Sequence, residues 1–238
     1  MVQDEAERLE RISERRLYGH GVNAEMVKYT FEVFSRHFVP GIALELGPAE
    51  GLMTDLLASR FKDLTVIEGS GAFVADIKKR HPGVNAVHTL FEEFKTDRTF
   101  SNIILGHVLE HVEDPVGLLR KVTSWLAPGG KILCAVPNSR SLHRQAAVIM
   151  GVLKTEWSMN AADIQHGHRR VYNPEQFRAD FYEAGLKIDH FGGYWMKPVS
   201  NSQIEKDWTP DMVRAFFVLG ERYPDIAAEI YVVACPSA

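Results

Sequence analysis

Two acidic residues in the first third of the chain lie on either side of a glycine-rich turn. Glu45 is set in the apolar run of residues 42–46, and Glu68 ends the apolar run of residues 64–68. A carboxylate beside a ligand repels a pyrophosphate and attracts a cation. An acid about 20 residues beyond a glycine turn is where the ribose diol of a nucleotide is commonly held. The two acids therefore predict a site for a nucleoside that carries positive charge and no phosphate.

The turn between these acids has the spacing Gly47-x-Ala49-x-Gly51. Glycines at such a turn let a ligand approach the backbone, because no Cβ is in the way. The third glycine of the dinucleotide fingerprint would fall at Leu52, so that fingerprint is incomplete. This disfavours a nicotinamide-dependent oxidoreductase. S-adenosylmethionine fits better, because it combines ribose and adenine with an ammonium and a sulfonium group.

A second group of residues with chemical potential lies in the polar segment 154–177. Within it, residues 157–172 hold two histidines, two arginines and two aromatic residues: Trp157, His166, His168, Arg169, Arg170 and Tyr172. A histidine titrates near pH 7 and can take a proton from a hydroxyl or an amine. An arginine can clamp a carboxylate or a phosphate. A substrate role is the favoured interpretation, and an exposed loop with solvated charges is the alternative.

The spacing His107-x-x-Glu110-His111 matches the H-x-x-E-H pattern of some zinc peptidases. That pattern needs both histidines on one continuous helix face and a further acidic ligand. Here it begins at the end of a predicted strand, so we predict no metal site. The candidates for a general base are five histidines: His107, His111, His143, His166 and His168.

Short apolar runs alternate with segments of helical spacing along the chain, which predicts an α/β fold. The predicted strands are residues 42–46, 64–70, 85–94, 102–106, 131–138, 186–198 and 229–234. The predicted helices are residues 23–38, 52–61, 71–81, 114–126, 142–153, 174–184, 200–208 and 210–221. Asn23 is predicted to cap the first of these helices. Residues 1–20 are charged and are also expected to be helical.

At this point the chain resembles the class I S-adenosylmethionine-dependent methyltransferases. The matching elements are residues 45–51, Glu68, residues 107–115 and residues 126–138, in the family's order. The resemblance implies a Rossmann-like, doubly wound seven-stranded sheet with small helical cap insertions. Its last strand would be antiparallel and lie between the fifth and the sixth. The pattern is similar to quinone-biosynthesis O-methyltransferases and to enzymes that methylate sugars and natural products, although Ala49 replaces the family's usual second glycine.

The resemblance also implies which residues bind the cofactor: Glu45, Gly47, Ala49, Gly51, Glu68, Gly69, Phe91, Glu92 and His107. Phe91 would sandwich the adenine ring and Glu92 would accept its amino group. The alternative is that Phe91 belongs to the core and Glu92 is solvated. His107 would pack beside the methionine portion, largely through its backbone, and His111 would be an anchor or a base.

The same resemblance assigns the acceptor side. Residues 1–238 form one methyltransferase domain, with residues 1–38 as N-terminal helices or a lid, and residues 139–172 and 192–228 as acceptor-side insertions. The residues expected to bind the acceptor are Tyr18, Asn138, Trp157, Arg169, Arg170 and Tyr172. The residues expected to act in catalysis are His168, His166 and His111, in that order of preference. A solvated terminal helix is the alternative for the N-terminal segment.

Composition limits the classes of partner. The chain has 31 acidic and 27 basic residues, a net charge of −4, and so no nucleic-acid footprint. Its two cysteines lack paired metal spacing and predict a reduced, cytoplasmic protein. No apolar run is long enough for a membrane span. The oligomeric state is left open.

The sequence therefore predicts methyl transfer from S-adenosylmethionine, which becomes S-adenosylhomocysteine, to an oxygen or nitrogen of a small molecule. A sugar, a quinone-like compound or another natural-product intermediate is the expected acceptor, and it would be anionic if an arginine clamps it. A non-catalytic cofactor-binding module and, less favoured, a nicotinamide-dependent oxidoreductase are the alternatives. Methylation of nucleic acid is disfavoured, because the Asn/Asp-Pro-Pro-Tyr motif is missing after the fourth strand.

Overall fold

Seven strands form the central sheet of the protein, whose computed structural model describes residues 2–13 and 19–237. In chain order they are β1 Ala43–Leu46, β2 Leu64–Glu68, β3 Asn85–His88, β4 Phe100–Gly106, β5 Leu126–Pro137, β6 Leu186–Tyr194 and β7 Glu229–Pro236. Their order across the sheet is β3-β2-β1-β4-β5-β7-β6. All neighbours are parallel except β7, which runs antiparallel to both β5 and β6. This confirms the Rossmann-like, doubly wound sheet and the predicted place of its last strand.

Helices cover both faces of this sheet. They are α1 Val2–Ser13, α2 Gly21–Ser35, α3 Leu52–Arg60, α4 Gly71–Arg80, α5 Pro115–Thr123, α6 Leu142–Ile149, α7 Ala161–His166, α8 Pro174–Glu183, α9 Asn201–Asp207 and α10 Pro210–Gly220. One apolar cluster joins α2, α3, α4, α9 and α10 to the sheet, and a second joins α5 and α8 to its other face. Every residue of β1 and β2 is buried, which is the burial expected of parallel strands covered on both faces. The described helices include none with the length and apolar character of a membrane span.

Several element boundaries differ from the predicted ones. Helix α2 begins at Gly21 with His20 at its N-cap, rather than at Asn23, and it ends at Ser35. Helix α6 ends at Ile149, and the chain then turns at Gly151, which has a positive φ of 72°. Apolar spacing therefore overestimated the length of both helices at their C-terminal ends, since Phe38 packs on Phe61 from outside α2.

Helix α7 was not predicted, because it lies within the polar segment 154–177. It begins with a capping box in which Asn160 accepts from the Asp163 amide and Asp163 accepts from the Asn160 amide. It ends at Gly167, whose φ of 83° is left-handed. These are ordinary helix start and stop signals. They were missed because the segment between them is too short to show an apolar period.

The two cysteines lie on neighbouring strands, as the resemblance implied. Cys134 on β5 is opposite Val232 of β7, whereas Cys235 on β7 is opposite Lys187 of β6. Both are free thiols. Burial raises the pKa of the Cys134 thiol well above its usual value, so it stays protonated within the core.

Candidate active site

The glycine-rich turn follows β1 and faces the end of β2. Gly47 and Ala49 have positive φ angles of 63° and 47°. The Gly47 amide donates to the carbonyl of Ile67, which ties the turn to the neighbouring strand. Glu68 accepts hydrogen bonds from the Ala49 amide at 3.3 Å and from the Ser70 amide at 2.8 Å. The predicted turn and the two predicted acids are therefore one structural unit at the carboxyl ends of the parallel strands, where α/β sheets bind ligands.

A cavity of about 510 Å³ opens at this unit. The expected cofactor residues that line it are Glu45, Gly47, Ala49, Glu68, Gly69, Phe91, Glu92 and His107. The other lining residues of the sheet side are Pro48, Glu50, Leu52, Met53, Phe73, Leu90, Glu93, Gly106 and Val108. Eight of the nine residues expected to bind the cofactor thus lie around one volume.

Gly51 is the ninth, and it lies outside the described lining. It is the N-cap of α3, with a left-handed φ of 78°. A Cβ at this position would overlap the guanidinium of Arg80. Gly51 therefore shapes the turn and does not line the cavity itself.

Both carboxylates of this unit are buried. Burial raises the pKa of Glu45 to about 8, although the Thr54 hydroxyl donates to the carboxylate at 2.6 Å. Burial likewise raises the pKa of Glu68, against the backbone amides that donate to it. Burial favours the neutral form of a carboxyl group, whereas a nearby cation favours the carboxylate. A buried carboxyl group beside a cavity is therefore a favourable partner for a cationic ligand. The two carboxyl groups and the apolar side chains of Phe91, Leu90 and Phe73 fit an adenosine with a cationic tail.

Helix α1 covers one side of the cavity. Glu5, Arg8 and Leu9 line it. Arg8 donates to the carbonyl of Gly167, next to α7. Glu10 accepts from the Gly71 amide at 2.6 Å and from the Ser70 hydroxyl at 2.8 Å, at the start of α4. Of the two readings of the N-terminal segment, the lid agrees with these contacts. Tyr18, which was expected to bind the acceptor, lies outside the described residues.

Three histidines surround the fully buried Glu110 in the turn after β4. His107, with a positive φ of 61°, has its Nδ1 3.5 Å from a Glu110 oxygen and 3.8 Å from Glu229. His111 Nε2 is 3.9 Å from the same Glu110 oxygen. Glu110 also interacts electrostatically with His168. Residues 107–111 form a bend and a turn rather than a helix, which confirms that the two histidines of the local motif do not share a helix face.

Opposite shifts in pKa follow from this arrangement. Burial opposes a charge on Glu110, yet the adjacent histidines hold its pKa at about 2. Burial also opposes a charge on His107, but Glu110 and Glu229 outweigh it and raise its pKa. Burial lowers the pKa of His111 to about 4. The site therefore contains a buried carboxylate with one imidazole that favours the charged form and another that favours the neutral form.

The three histidines proposed for catalysis have different positions. His111 and His166 line the cavity. The Nδ1 of His166 lies 2.8 Å from the carbonyl of Ala162, within its own helix. His168 is outside the described lining, with its Nδ1 3.5 Å from Asp163. The order of preference based on sequence, which put His168 first, does not match the order of access to the cavity.

The two arginines of the segment also differ. Arg169 lines the cavity, donates to the carbonyl of His111 and forms ion pairs with Glu5 and Glu113. Arg170 lies outside the described lining and donates to three backbone carbonyls, which belong to Leu109, Val112 and Glu113. Both guanidinium groups already hold acceptors from the protein. Arg170 fixes the turn that carries the histidines.

Three other residues expected to bind the acceptor lie outside the described lining. Asn138 is buried and donates to the carbonyls of Asp225 and Ala227. Tyr172 is buried and donates to Asp180 at 2.7 Å. Trp157 is 65% exposed. The structure therefore assigns the first two to packing between segments and leaves the third on the surface.

Sequence reasoning missed several lining residues. Val27 and Thr30 of α2, with Glu5 and Arg8 of α1, belong to the cavity. The apolar face of α2 did predict burial of Val27, but no motif indicated which part of that face meets a ligand. Thr30 makes a 2.6 Å hydrogen bond with the hydroxyl of Tyr194 on β6, a contact that only packing reveals.

Comparison with protein families identifies one match that covers most of the chain. A family model described as a methyltransferase domain matches residues 18–190. Among curated proteins, the chain is 27% identical over 206 residues to the ubiquinone biosynthesis O-methyltransferase of Methylocella silvestris, which covers 74% of this chain and 78% of that protein. It is 24% identical over 190 residues to the protein of the same name from Xanthomonas euvesicatoria, with 76% and 77% covered.

Solved structures share the fold. The N-methyltransferase NodS from Bradyrhizobium japonicum, in complex with S-adenosyl-L-homocysteine, superposes with a TM-score of 0.63 at 16% identity and covers 97% of this chain and 99% of that one. The glycopeptide N-methyltransferase MtfA, complexed with S-adenosyl-L-methionine, gives a TM-score of 0.58 at 17% identity, with 87% and 86% covered. At these identities the likeness concerns the fold alone.

Proposed function

This chain belongs to the methyltransferase-domain family, and from that premise we propose that it transfers the methyl group of S-adenosylmethionine to an oxygen or nitrogen of a small molecule. The observation that carries the proposal is the single cavity that collects Glu45, Glu68 and Phe91 at one end and His111, His166 and Arg169 at the other. One end suits the cofactor and the other an acceptor. The relatives are named O-methyltransferases and the structural neighbours N-methyltransferases, so both kinds of acceptor atom stay in the proposal.

S-adenosylmethionine supplies an electrophilic methyl group when it is bound, and the protein contributes position and charge. Glu45 would hold the cationic portion and Glu68 the ribose diol, whereas Phe91 and Glu92 would hold the adenine. Alignment of a nucleophile with the methyl group accounts for several kcal/mol of barrier lowering in reactions of this kind. Helix α1 and α2 exclude water from the same volume through Leu9 and Val27, which both line it.

The acceptor has to lose a proton during or after transfer. The histidines that line the cavity are His107, His111 and His166, and of the three expected to act in catalysis these include His111 and His166. Either can take a proton from a hydroxyl or an amine if the acceptor is held against it. We therefore rank these two ahead of His168 as the residues that contact the acceptor.

The charge of the cavity favours a neutral or cationic acceptor over an anionic one. Arg169 is paired with Glu5 and Glu113, and Arg170 is committed to backbone carbonyls. Glutamates line the volume at Glu45, Glu50, Glu68, Glu92 and Glu93, in addition to Glu5 and Glu113. An anionic acceptor would have to displace an ion pair to reach a guanidinium group.

The test is a panel of phenols, sugars, amines and carboxylated analogues, incubated with the protein and isotope-labelled S-adenosylmethionine. We expect label in a neutral or amine acceptor and a matching amount of S-adenosylhomocysteine. Glu68→Ala serves as the control, since it should lose cofactor binding and label together. No label in any small molecule, with cofactor binding intact, would favour the non-catalytic module. Label in RNA or DNA instead would overturn the small-molecule proposal.

A further inference from the structure

The fully buried Glu110 has two carboxylate oxygens that accept no hydrogen bond from the described residues. A buried acceptor left without a hydrogen bond costs about 1 to 3 kcal/mol, and more if it is charged. Glu110, His111 and His168 each offer a ligand atom, and these atoms lie within 4.8 Å of one another. The rings of His111 and His168 approach edge to face, with centroids 4.8 Å apart. Two imidazoles thus converge on an unsatisfied buried carboxylate.

From this geometry we propose that Glu110, His111 and His168 bind one divalent transition-metal ion beside the acceptor end of the cavity. Two histidines and one glutamate are the protein ligands of a well-known kind of catalytic zinc site, which leaves a further coordination position open. Magnesium and calcium prefer sets made of oxygen atoms alone, so they fit poorly. The Glu110 to His111 separation of 3.9 Å is close to the spacing of two ligands on one ion and needs only a small side-chain adjustment.

The neighbours of the two histidines in this cluster support the proposed metal site. A metal-bound histidine usually gives its second ring nitrogen to a carboxylate or a backbone carbonyl, which fixes the orientation of the ring. The Nδ1 of His168 lies 3.5 Å from Asp163, and Asp163 is held by Arg144 at 3.0 Å and by the Asn160 amide. The ring of His111 interacts with the backbone of Gly167. Each histidine therefore has a partner besides Glu110.

Further acidic side chains lie near the cluster. The Nδ1 of His107 lies 3.5 Å from Glu110 and 3.8 Å from the buried Glu229. Asp163 lies 3.5 Å from the Nδ1 of His168. A divalent cation at the cluster would be attracted by the charged forms of these acids.

This ion would deepen the proposed methyl transfer, on which its role rests. His111 lines the cavity, so an ion held by it would lie beside the acceptor end. There the ion would bind the attacking oxygen and make its proton more acidic. In the transfer the O–H proton goes to His166 or to solvent, because His111 is then a ligand of the ion. A new O–C bond forms, and the S–C bond breaks with its electron pair kept by sulfur. A hydroxyl acceptor is then favoured over an amine.

The binding test uses the full chain, stripped of metal with a chelator and titrated with Zn²⁺ against a chromophoric competitor. We expect one ion per chain, and Glu110→Gln or His168→Ala should weaken its affinity at least about 100-fold. Asp163→Asn should weaken it by about 10- to 100-fold, because it acts through His168. His37→Ala is the matched control: the His37 and His190 rings have centroids 4.8 Å apart, the same separation as His111 and His168, but neither lies in the described lining of the cavity.

Two further measurements separate loss of the metal site from loss of the fold. Binding of S-adenosylhomocysteine by calorimetry shows that each variant is folded, and the visible spectrum of bound Co²⁺ should change in His168→Ala. Equal Zn²⁺ affinity for the parent, Glu110→Gln and His168→Ala would overturn the site. Turnover of a hydroxyl acceptor that is unchanged after metal removal would overturn its role. Failure of methyl transfer in stripped and loaded protein alike, with the ion bound, would instead count against the proposed function.

Discussion

Glu45 carries its carboxyl group on a strand that is buried on both faces, and its pKa is raised to about 8. At pH 7 the free protein therefore holds this group largely in its neutral form. A cationic ligand favours the carboxylate, so binding releases a proton. Glu45, which the sequence predicted to attract a cation, thus becomes charged mainly when the cation binds.

We predict that cofactor affinity depends on pH through Glu45. Affinity should rise by up to about tenfold per pH unit below about pH 8 and level off above it, because the neutral form must ionise first. Glu45→Gln should bind more weakly and lose this dependence. Calorimetry in buffers of different ionisation enthalpy measures both the affinity and the released proton. The same slope in parent and variant would assign the effect to another group.

Helix α1 is connected to the rest of the site by a few polar contacts. Glu10 accepts from the first amide of α4, and Arg8 donates to the carbonyl of Gly167. Leu9 rests on Gly69, where a Cβ would overlap it. These contacts tie α1 to the start of α4 and to the segment after α7, while the sheet is built without it.

We predict that Glu10→Ala loosens this lid without unfolding the domain. Loss of a carboxylate at a helix start costs about 1 kcal/mol, which corresponds to roughly fivefold faster release of S-adenosylhomocysteine. Stopped-flow displacement measures that rate. Glu7→Ala is the matched control, since Glu7 is exposed on the same helix. Equal release rates in the two variants would show that α1 does not retain the cofactor.

The turn after β4 is held from outside by Arg170, which donates to three of its carbonyls. The segment that brings His168 to the site therefore also fixes Glu110 and His111. An arginine expected from its sequence context to bind an acceptor is used to join two segments.

We predict that Arg170→Ala lowers thermal stability and turnover together. Loss of hydrogen bonds from a charged donor costs about 2 to 4 kcal/mol here, or a fall in melting temperature of about 5 to 10 °C. Arg120→Ala is the control, because Arg120 also donates to a carbonyl but is exposed. A higher KM for the acceptor at unchanged melting temperature would instead restore the anion clamp that the sequence predicted.

On the scale of the whole molecule, the cofactor cavity joins elements that are far apart in the chain, from Glu5 of α1 to Arg169. Residues of α1, α2, β1, β2, β4 and the segment around Arg169 all line it. A ligand in this volume therefore stabilises the folded state as a unit. The gain follows the ligand concentration relative to its dissociation constant.

We predict that S-adenosylhomocysteine raises the melting temperature by about 5 to 10 °C at a concentration of roughly 100 times its dissociation constant. NAD should give no shift, because the turn lacks the dinucleotide spacing. Glu68→Ala should lose most of the effect, whereas Glu7→Ala should keep it. Differential scanning fluorimetry measures all of these. An equal shift with NAD would reopen the oxidoreductase alternative.

The amino-acid sequence by itself determined the α/β sheet and the two carboxylates beside the glycine-rich turn, while the place of the last strand was implied only by the resemblance to a known family. The sheet and the turn depend on short-range patterns, and parallel strands bring their carboxyl ends to one edge wherever they occur. Only the tertiary structure decided that Arg170 and Asn138 serve packing and that α1 covers the cavity. It also brought His168 to Glu110 and His111, where local spacing had predicted no metal site. Contacts between residues so far apart in the chain depend on how helices and loops pack, and the local periodicity of the sequence does not indicate them.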